Sequence, residues 1–192
     1  AWVGREGDIQ LLREDVGQIV IYDNLVRGSM HNVAEILNDK RVTLVKGDIR
    51  NVEDTRRVTE GMDAVIHMAA IRITACADNP REAMEVMCNG SFNVVEAAHL
   101  AGVKKIVCAS TASIYGLADN FPTTEKDHPY NNRTWYGASK IMLEGLLRSF
   151  NDMYGTDYVA FRYFNVYGPR MDIHGKYTEV LIRWMERIEA GQ

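Results

Sequence analysis

What most constrains this chain is an alternation of period along its length. Short runs rich in β-branched residues stand at Gln18–Tyr22, Val42–Lys46, Ala64–His67, Lys105–Ser110 and Tyr158–Tyr163. Between and after them lie stretches of helical period, Met30–Asn38, Val52–Glu60, Pro80–Ala101, Trp135–Tyr154 and Tyr177–Ala190. Strands that are buried on both faces read as near-continuous apolar runs, and these do. Pro80 suits a first helical position and Gly102 a helix stop. Strand, helix, strand, helix predicts parallel strands joined by right-handed crossovers, hence a doubly wound parallel α/β sheet.

The ends of the pattern are unusual. An open sheet of this type starts with a strand and a glycine turn that holds a pyrophosphate at a helix N-terminus. Here Ala1-Trp2-Val3-Gly4 runs straight into a helix-like stretch with Leu11 and Leu12. Counting back from that pair, Gly4 falls where the third glycine of a GxxGxxG turn would stand, and Ala1 where the second would. The expectation is a sheet lacking its first strand and most of that turn, with Gly4 in the cofactor cradle. The alternative is that Gly4 and Gly7 form a flexible start. The last helix meets no stop before Gly191, so the pattern looks interrupted there too. The expected organisation is a dinucleotide-binding domain over residues 1–170 and the start of a substrate-binding domain over 171–192. One long polar connection, residues 116–134, carries Pro122 and Pro129, and connections of that length more often serve function than not.

Composition excludes several classes. The chain has 192 residues, 46% hydrophobic and 25% charged, ordinary for a globular domain and unlike a disordered one. Its net charge of −4 and lack of a basic tract give no reason to expect a nucleic-acid partner. No apolar run approaches the roughly 18 residues of a membrane span, and no signal-peptide pattern opens the chain. Cys76, Cys88 and Cys108 are far apart and form no CxxC pair, which reads as reduced, mostly buried thiols of a cytoplasmic protein. The five histidines are scattered, so no metal site is expected.

The strongest chemical signal is Tyr136-Gly137-Ala138-Ser139-Lys140. On a helix Tyr136 and Lys140 lie one turn apart on one face. A phenol with a reference pKa of about 10 is a poor base at neutral pH, but a nearby ammonium and an oxidised nicotinamide ring both favour the phenolate. Tyr136 could then take a proton from a sugar hydroxyl while hydride leaves the same carbon. Alone, YxxxK also fits many solvated helix faces. Upstream, Ser110-Thr111-Ala112-Ser113-Ile114-Tyr115-Gly116 follows an apolar strand, at the carboxyl end where ligands of parallel sheets bind. Its hydroxyls could bond a reacting oxygen, or simply satisfy their own turn. Asp23-Asn24 closes another strand, where an acid accepts hydrogen bonds from an adenosine ribose and repels a 2′-phosphate. Gly47-Asp48-Ile49 closes the next and could flank the adenine.

Together these segments, with His67-Met68-Ala69-Ala70 and Arg162-Tyr163-Phe164-Asn165-Val166-Tyr167-Gly168-Pro169-Arg170, resemble the extended short-chain dehydrogenase/reductase family, in its branch of NAD-dependent nucleotide-sugar epimerases and dehydratases. The resemblance covers nearly the whole chain and implies a Rossmann-like fold with NAD as cofactor. By it Tyr136 is the catalytic base and acid, Lys140 holds the nicotinamide ribose and lowers the phenol's pKa, and Thr111 is the hydroxyl partner at the reacting oxygen, with Ser113 beside the substrate. Gly4, Asp23, Asn24, Asp48 and Ile49 would bind the adenosine and pyrophosphate side of NAD. Met68, Ala69 and Ala70 would line the nicotinamide ribose with Arg72 just beyond, Tyr163 and Phe164 would pack near the nicotinamide, and Asn165 would touch the sugar nucleotide's phosphates. Members usually carry an Asn three residues before the Gly-Thr of the long helix, where this chain has Met87 before Gly90-Ser91. The family's 4,6-dehydratases place Asp-Glu directly after the catalytic Thr; here stand Ala112 and Ser113. The resemblance therefore favours 4-epimerisation of a UDP-linked hexose through a transient 4-keto sugar. Another family reaction, or a non-catalytic dinucleotide-binding module, remains the alternative. It also implies a homodimer through the helices Pro80–Ala101 and Trp135–Tyr154.

Overall fold

A computed structural model describes residues 2–166 and 180–192. The apolar runs form five parallel strands in two sheets. In the first, β1 (Ile19–Asp23) pairs with β2 (Val42–Lys46), Asp23 lying opposite Lys46. In the second, β3 (Ala64–His67), β4 (Lys105–Thr111) and β5 (Tyr158–Tyr163) follow in the order β3-β4-β5. Their register sets His67 opposite Cys108 and Thr111 opposite Tyr163. The α/β class holds, with the strands in two parallel ladders; among the described residues none joins β1 to β3. The two parts are tied by helices instead. Arg56 on α3 (Val52–Thr59) meets Glu96 on α6 (Ser91–Leu100) at 3.0 Å, and Asn93 Nδ2 donates to the Ile49 carbonyl at 2.9 Å.

The larger sheet carries the main core. Ile106 and Cys108 of β4 pack with Val95 and Ala98 of α6 and with Leu143 and Leu147 of α7 (Trp135–Tyr154). Helix α7 begins where the Thr134 side chain accepts the Gly137 N–H and ends at Gly155 in the left-handed region, φ 72°.

Several elements differ from their expected extents. Helix α1 (Trp2–Arg13) opens the described chain, with Gly4 in its first turn. The stretch expected as one helix at Met30–Asn38 is a single turn, α2 (Met30–Val33), and a 3₁₀ turn at Ile36–Asn38. A helix outside the sequence-predicted elements, α4 (Ile73–Asp78), follows β3. The long helix Pro80–Ala101 is three pieces: α5 (Pro80–Ala83), a π-helical segment Met84–Gly90, and α6. Helix α8 (Val180–Glu189) occupies most of Tyr177–Ala190. The expected boundary between residues 170 and 171 lies outside the described residues. Among the described residues no helix is long and apolar enough to cross a membrane, and no group of three His, Cys, Asp or Glu is placed to hold a metal.

Candidate active site

The Thr134 cap fixes the first turn of α7, and from it Tyr136, Lys140 and Glu144 rise along one face at helical spacing. Thr111, the last residue of β4 and 7% exposed, lies within hydrogen-bonding reach of the Tyr136 phenol. Its Oγ1 also accepts the Ser113 N–H at 3.1 Å, which starts the 3₁₀ turn Ala112–Tyr115. The hydroxyl run therefore satisfies its own turn and faces the phenol at once. The phenol is half-buried against the cluster of Cys76, Ala83 and Met87.

Lys140 is 2% exposed, and its Nζ donates to the Ala109 carbonyl at 2.7 Å. Burial lowers its pKa to about 8, against the opposing pull of the Cys108 and Cys76 thiols. Burial likewise raises the Tyr136 phenol above its usual value, outweighing the hydrogen bond from Thr111. The expected lowering of the phenol by Lys140 is thus not a property of the protein chain by itself. Desolvation wins because the ring packs under the Cys76, Ala83 and Met87 cluster.

A model of the NAD dependent epimerase/dehydratase family matches residues 8–192. This chain belongs to that family. It is 34% identical over 187 residues to a UDP-glucose 4-epimerase of Mycolicibacterium smegmatis, covering 96% of this chain and 59% of the relative. Among solved structures, a UDP-N-acetylglucosamine 4-epimerase from Methanobrevibacter ruminantium, in complex with UDP-N-acetylmuramic acid, superposes with a TM-score of 0.88 at 30% identity over 98% of this chain and 60% of that one. The Thermus thermophilus UDP-glucose 4-epimerase complex with NAD gives a TM-score of 0.84 at 32% identity, over 98% of this chain and 60% of that one. The chain thus spans about three-fifths of each of these proteins.

The other residues expected to bind cofactor in this epimerase/dehydratase family member fall into two groups. At the smaller sheet, Asp23 ends β1 and its Oδ1 accepts the Leu25 N–H at 2.7 Å, with Leu25 in the left-handed region at φ 59°. Asn24 Nδ2 donates to Asp48 Oδ2 at 3.0 Å, so the ends of β1 and β2 are laced together. The Arg50 guanidinium, 2.7 Å away, holds the Asp48 carboxyl well below the usual carboxylate range. Ile49 is 8% exposed, and its side chain packs against Gly90, where a Cβ would stand 2.7 Å from it. It serves the core at least as much as any ligand.

At the larger sheet, His67 ends β3 and is held by Ser91 Oγ at 3.0 Å from Nε2; burial lowers its pKa to about 3, so the ring stays neutral. Met68 and Ala69 then follow half-buried, Ala70 is exposed, and Arg72 is the N-cap residue of α4. The Ile71 N–H donates to Met87 Sδ at 3.3 Å, so the residue that replaces the family's usual Asn anchors this strand-end loop and underlies Tyr136. Tyr163 and Phe164, 37% and 76% exposed, close β5 beside Thr111, with Asn165 exposed next to them. Tyr167, Gly168, Pro169 and Arg170 of the same motif lie outside the described residues.

The structure thus brings Thr111, Ser113, Tyr136, Lys140 and Tyr163 to one end of the larger sheet, and Asp23, Asn24 and Asp48 to one end of the smaller. Gly4 lies in the first turn of α1. Sequence reasoning missed the role of Glu144 and Arg162, whose side chains pair at 2.7 Å. Glu144 continues the 136–140 spacing by one turn, a signal that was there to be read.

Proposed function

We propose that this chain carries the catalytic residues of an NAD-dependent 4-epimerase acting on a UDP-linked hexose. One observation carries the reading: Thr111 lies near the Tyr136 phenol and is followed by uncharged Ala112 and Ser113, where elimination of water would need carboxylic acids. The UDP-sugar epimerases among its relatives support the substrate class.

The residues present fit the cofactor. Lys140 offers three N–H donors, Ala109 takes one, and the others suit a ribose diol. The Asp23 carboxylate at the end of β1 suits the adenosine ribose. NAD, when bound, supplies the hydride acceptor and donor at C4 and a positive ring that favours the phenolate. Tyr136 takes the proton of the sugar's C4 hydroxyl and later returns it. Thr111 donates a hydrogen bond to the same oxygen as its charge develops. The Lys140 ammonium orients the ribose and, once the phenol loses its proton, stabilises the anion. Between the two proton transfers the sugar is a 4-ketone, which must offer its opposite face before it is reduced.

The test is product analysis by NMR of full-length protein given UDP-glucose or UDP-galactose. Interconversion is expected, whereas a 4-keto-6-deoxy product would overturn the reading in favour of a dehydratase. Tyr136→Phe should lower turnover by about 10³-fold while NAD still binds. A binding module would be indifferent to it. A homodimer through α6 and α7 belongs to the same proposal, supported by exposed Phe92, Leu100, Met153 and Tyr154. Light scattering at micromolar concentration should give twice the protomer mass, and a monomer would refute it.

A further inference from the structure

Arg162 is the guanidinium to which several separate elements converge. Its Nε donates to Glu144 Oε1 at 3.0 Å and its Nη2 to Glu144 Oε2 at 2.7 Å. Its Nη1 donates to the Tyr115 hydroxyl at 2.8 Å and to the Glu125 backbone carbonyl at 2.9 Å. The guanidinium carbon also lies 5.0 Å from the centroid of the Tyr115 ring. Glu144 Oε1 accepts a further hydrogen bond from Ser110 Oγ, next to Thr111 on β4. The pair is largely out of water, with side-chain exposures of 16% and 12%. One ion pair therefore joins β4, β5, α7, the 3₁₀ turn after Thr111, and the middle of the 116–134 loop.

That loop has a particular place in the chain. It leaves the site just after Ser113 and returns just before Tyr136, so its two ends are the two segments that carry the proposed chemistry. Its ends are closely fitted: a Cβ on Gly116 would stand 1.8 Å from the Asn131 carbonyl oxygen, and one on Gly137 would stand 2.0 Å from Asn132 Oδ1. Towards its middle, Asp127 accepts from Asn120 and Thr124, bonds that close on the loop itself. Arg162 reaches this middle from β5.

We propose that Arg162 is a positioning residue that latches the 116–134 loop to the sheet, aimed by Glu144, and that the latched loop sets how the nucleotide sugar is held. The second clause rests on the epimerase reading; the first does not. A planar fork can grip a carboxylate with two N–H groups while a third and fourth contact serve Tyr115 and Glu125. A lysine keeps the charge and cannot make that set of bonds.

The experiment uses full-length protein and the variants Arg162→Lys and Glu144→Gln, the latter keeping shape while removing the charge that aims the guanidinium. Lys126 is exposed on the loop beside Glu125 and reports its release to trypsin. Cleavage after Lys126 under native conditions is expected to rise about tenfold in Arg162→Lys, and less in Glu144→Gln, since proteolysis tracks the open population. With UDP-sugar, KM should rise about tenfold while kcat stays within about threefold and NAD affinity within about twofold. Unchanged cleavage in both variants would overturn the latch. A parallel loss of NAD affinity and thermal stability would also overturn it, since that would make the pair a general support. Wild-type protein that interconverts no UDP-sugar would sink the second clause alone, because the proteolysis comparison still decides the first.

Discussion

A primary ammonium that is 2% exposed, offered one backbone carbonyl and set among thiols, is held against its own solvation. An unfolded lysine keeps its proton up to about 10.5, whereas folded Lys140 keeps it only to about 8. Between those values the unfolded chain binds more protons, so stability rises with pH across that window. Below 8 both states are protonated and the full penalty stands, about 3 kcal/mol. Lys140→Met should therefore stabilise the fold at pH 7 by up to about 3 kcal/mol in urea unfolding, flatten the rise between pH 8 and 10.5, and abolish turnover. A variant less stable at pH 7 would show that the bond to Ala109 outweighs the burial. At this scale the one-turn spacing of Tyr136 and Lys140 followed from helical period, whereas Thr111 was singled out by the family resemblance. The direction of the Tyr136 shift was not legible. It depends on Cys76, Ala83 and Met87, which reach the ring from other helices.

Gly116 shows what a single turn demands of an element. With φ at 58° and the Asn131 carbonyl where a Cβ would go, it admits no side chain without moving the base of the loop. Gly116→Ala should cost at least about 2 kcal/mol, read as a lower urea midpoint with an unchanged slope. A cost below about 0.5 kcal/mol would mean that the loop base yields freely. The strands and α7 were legible to within a residue or so, since β-branched runs and an apolar face are local signals. Helix α4 was not, because Ile73–Asp78 spans fewer than two turns and is held by Cys76 packing under Met87 rather than by its own period. Nor was the π-helical segment Met84–Gly90. Its i→i+5 bonding is a backbone feature that no residue type in Met84–Gly90 announces, so the sequence reads as one continuous helix.

At the scale of the molecule, the parallel α/β class followed from element order, whereas which strands pair did not. Strand partners are chosen by non-local contacts, and runs such as Ile19–Asp23 and Ala64–His67 look alike in isolation. The division separates the proposed binding groups as well: Asp23 and Asp48 stand on the pair, Tyr136 and Lys140 beside the triplet. Between these two rafts the links named above are Arg56 with Glu96, Asn93 with the Ile49 carbonyl, and the Ile49 side chain packed on Gly90, without a shared ladder. A dinucleotide that spans both would act as a strap across the seam, stabilising the joined state by RT ln(1 + [L]/Kd). Saturating NAD should then sharpen melting into one transition and raise its midpoint, whereas AMP, long enough for one raft only, should leave the seam as it was. Equal sharpening by AMP would show that the rafts are already fused without a strap.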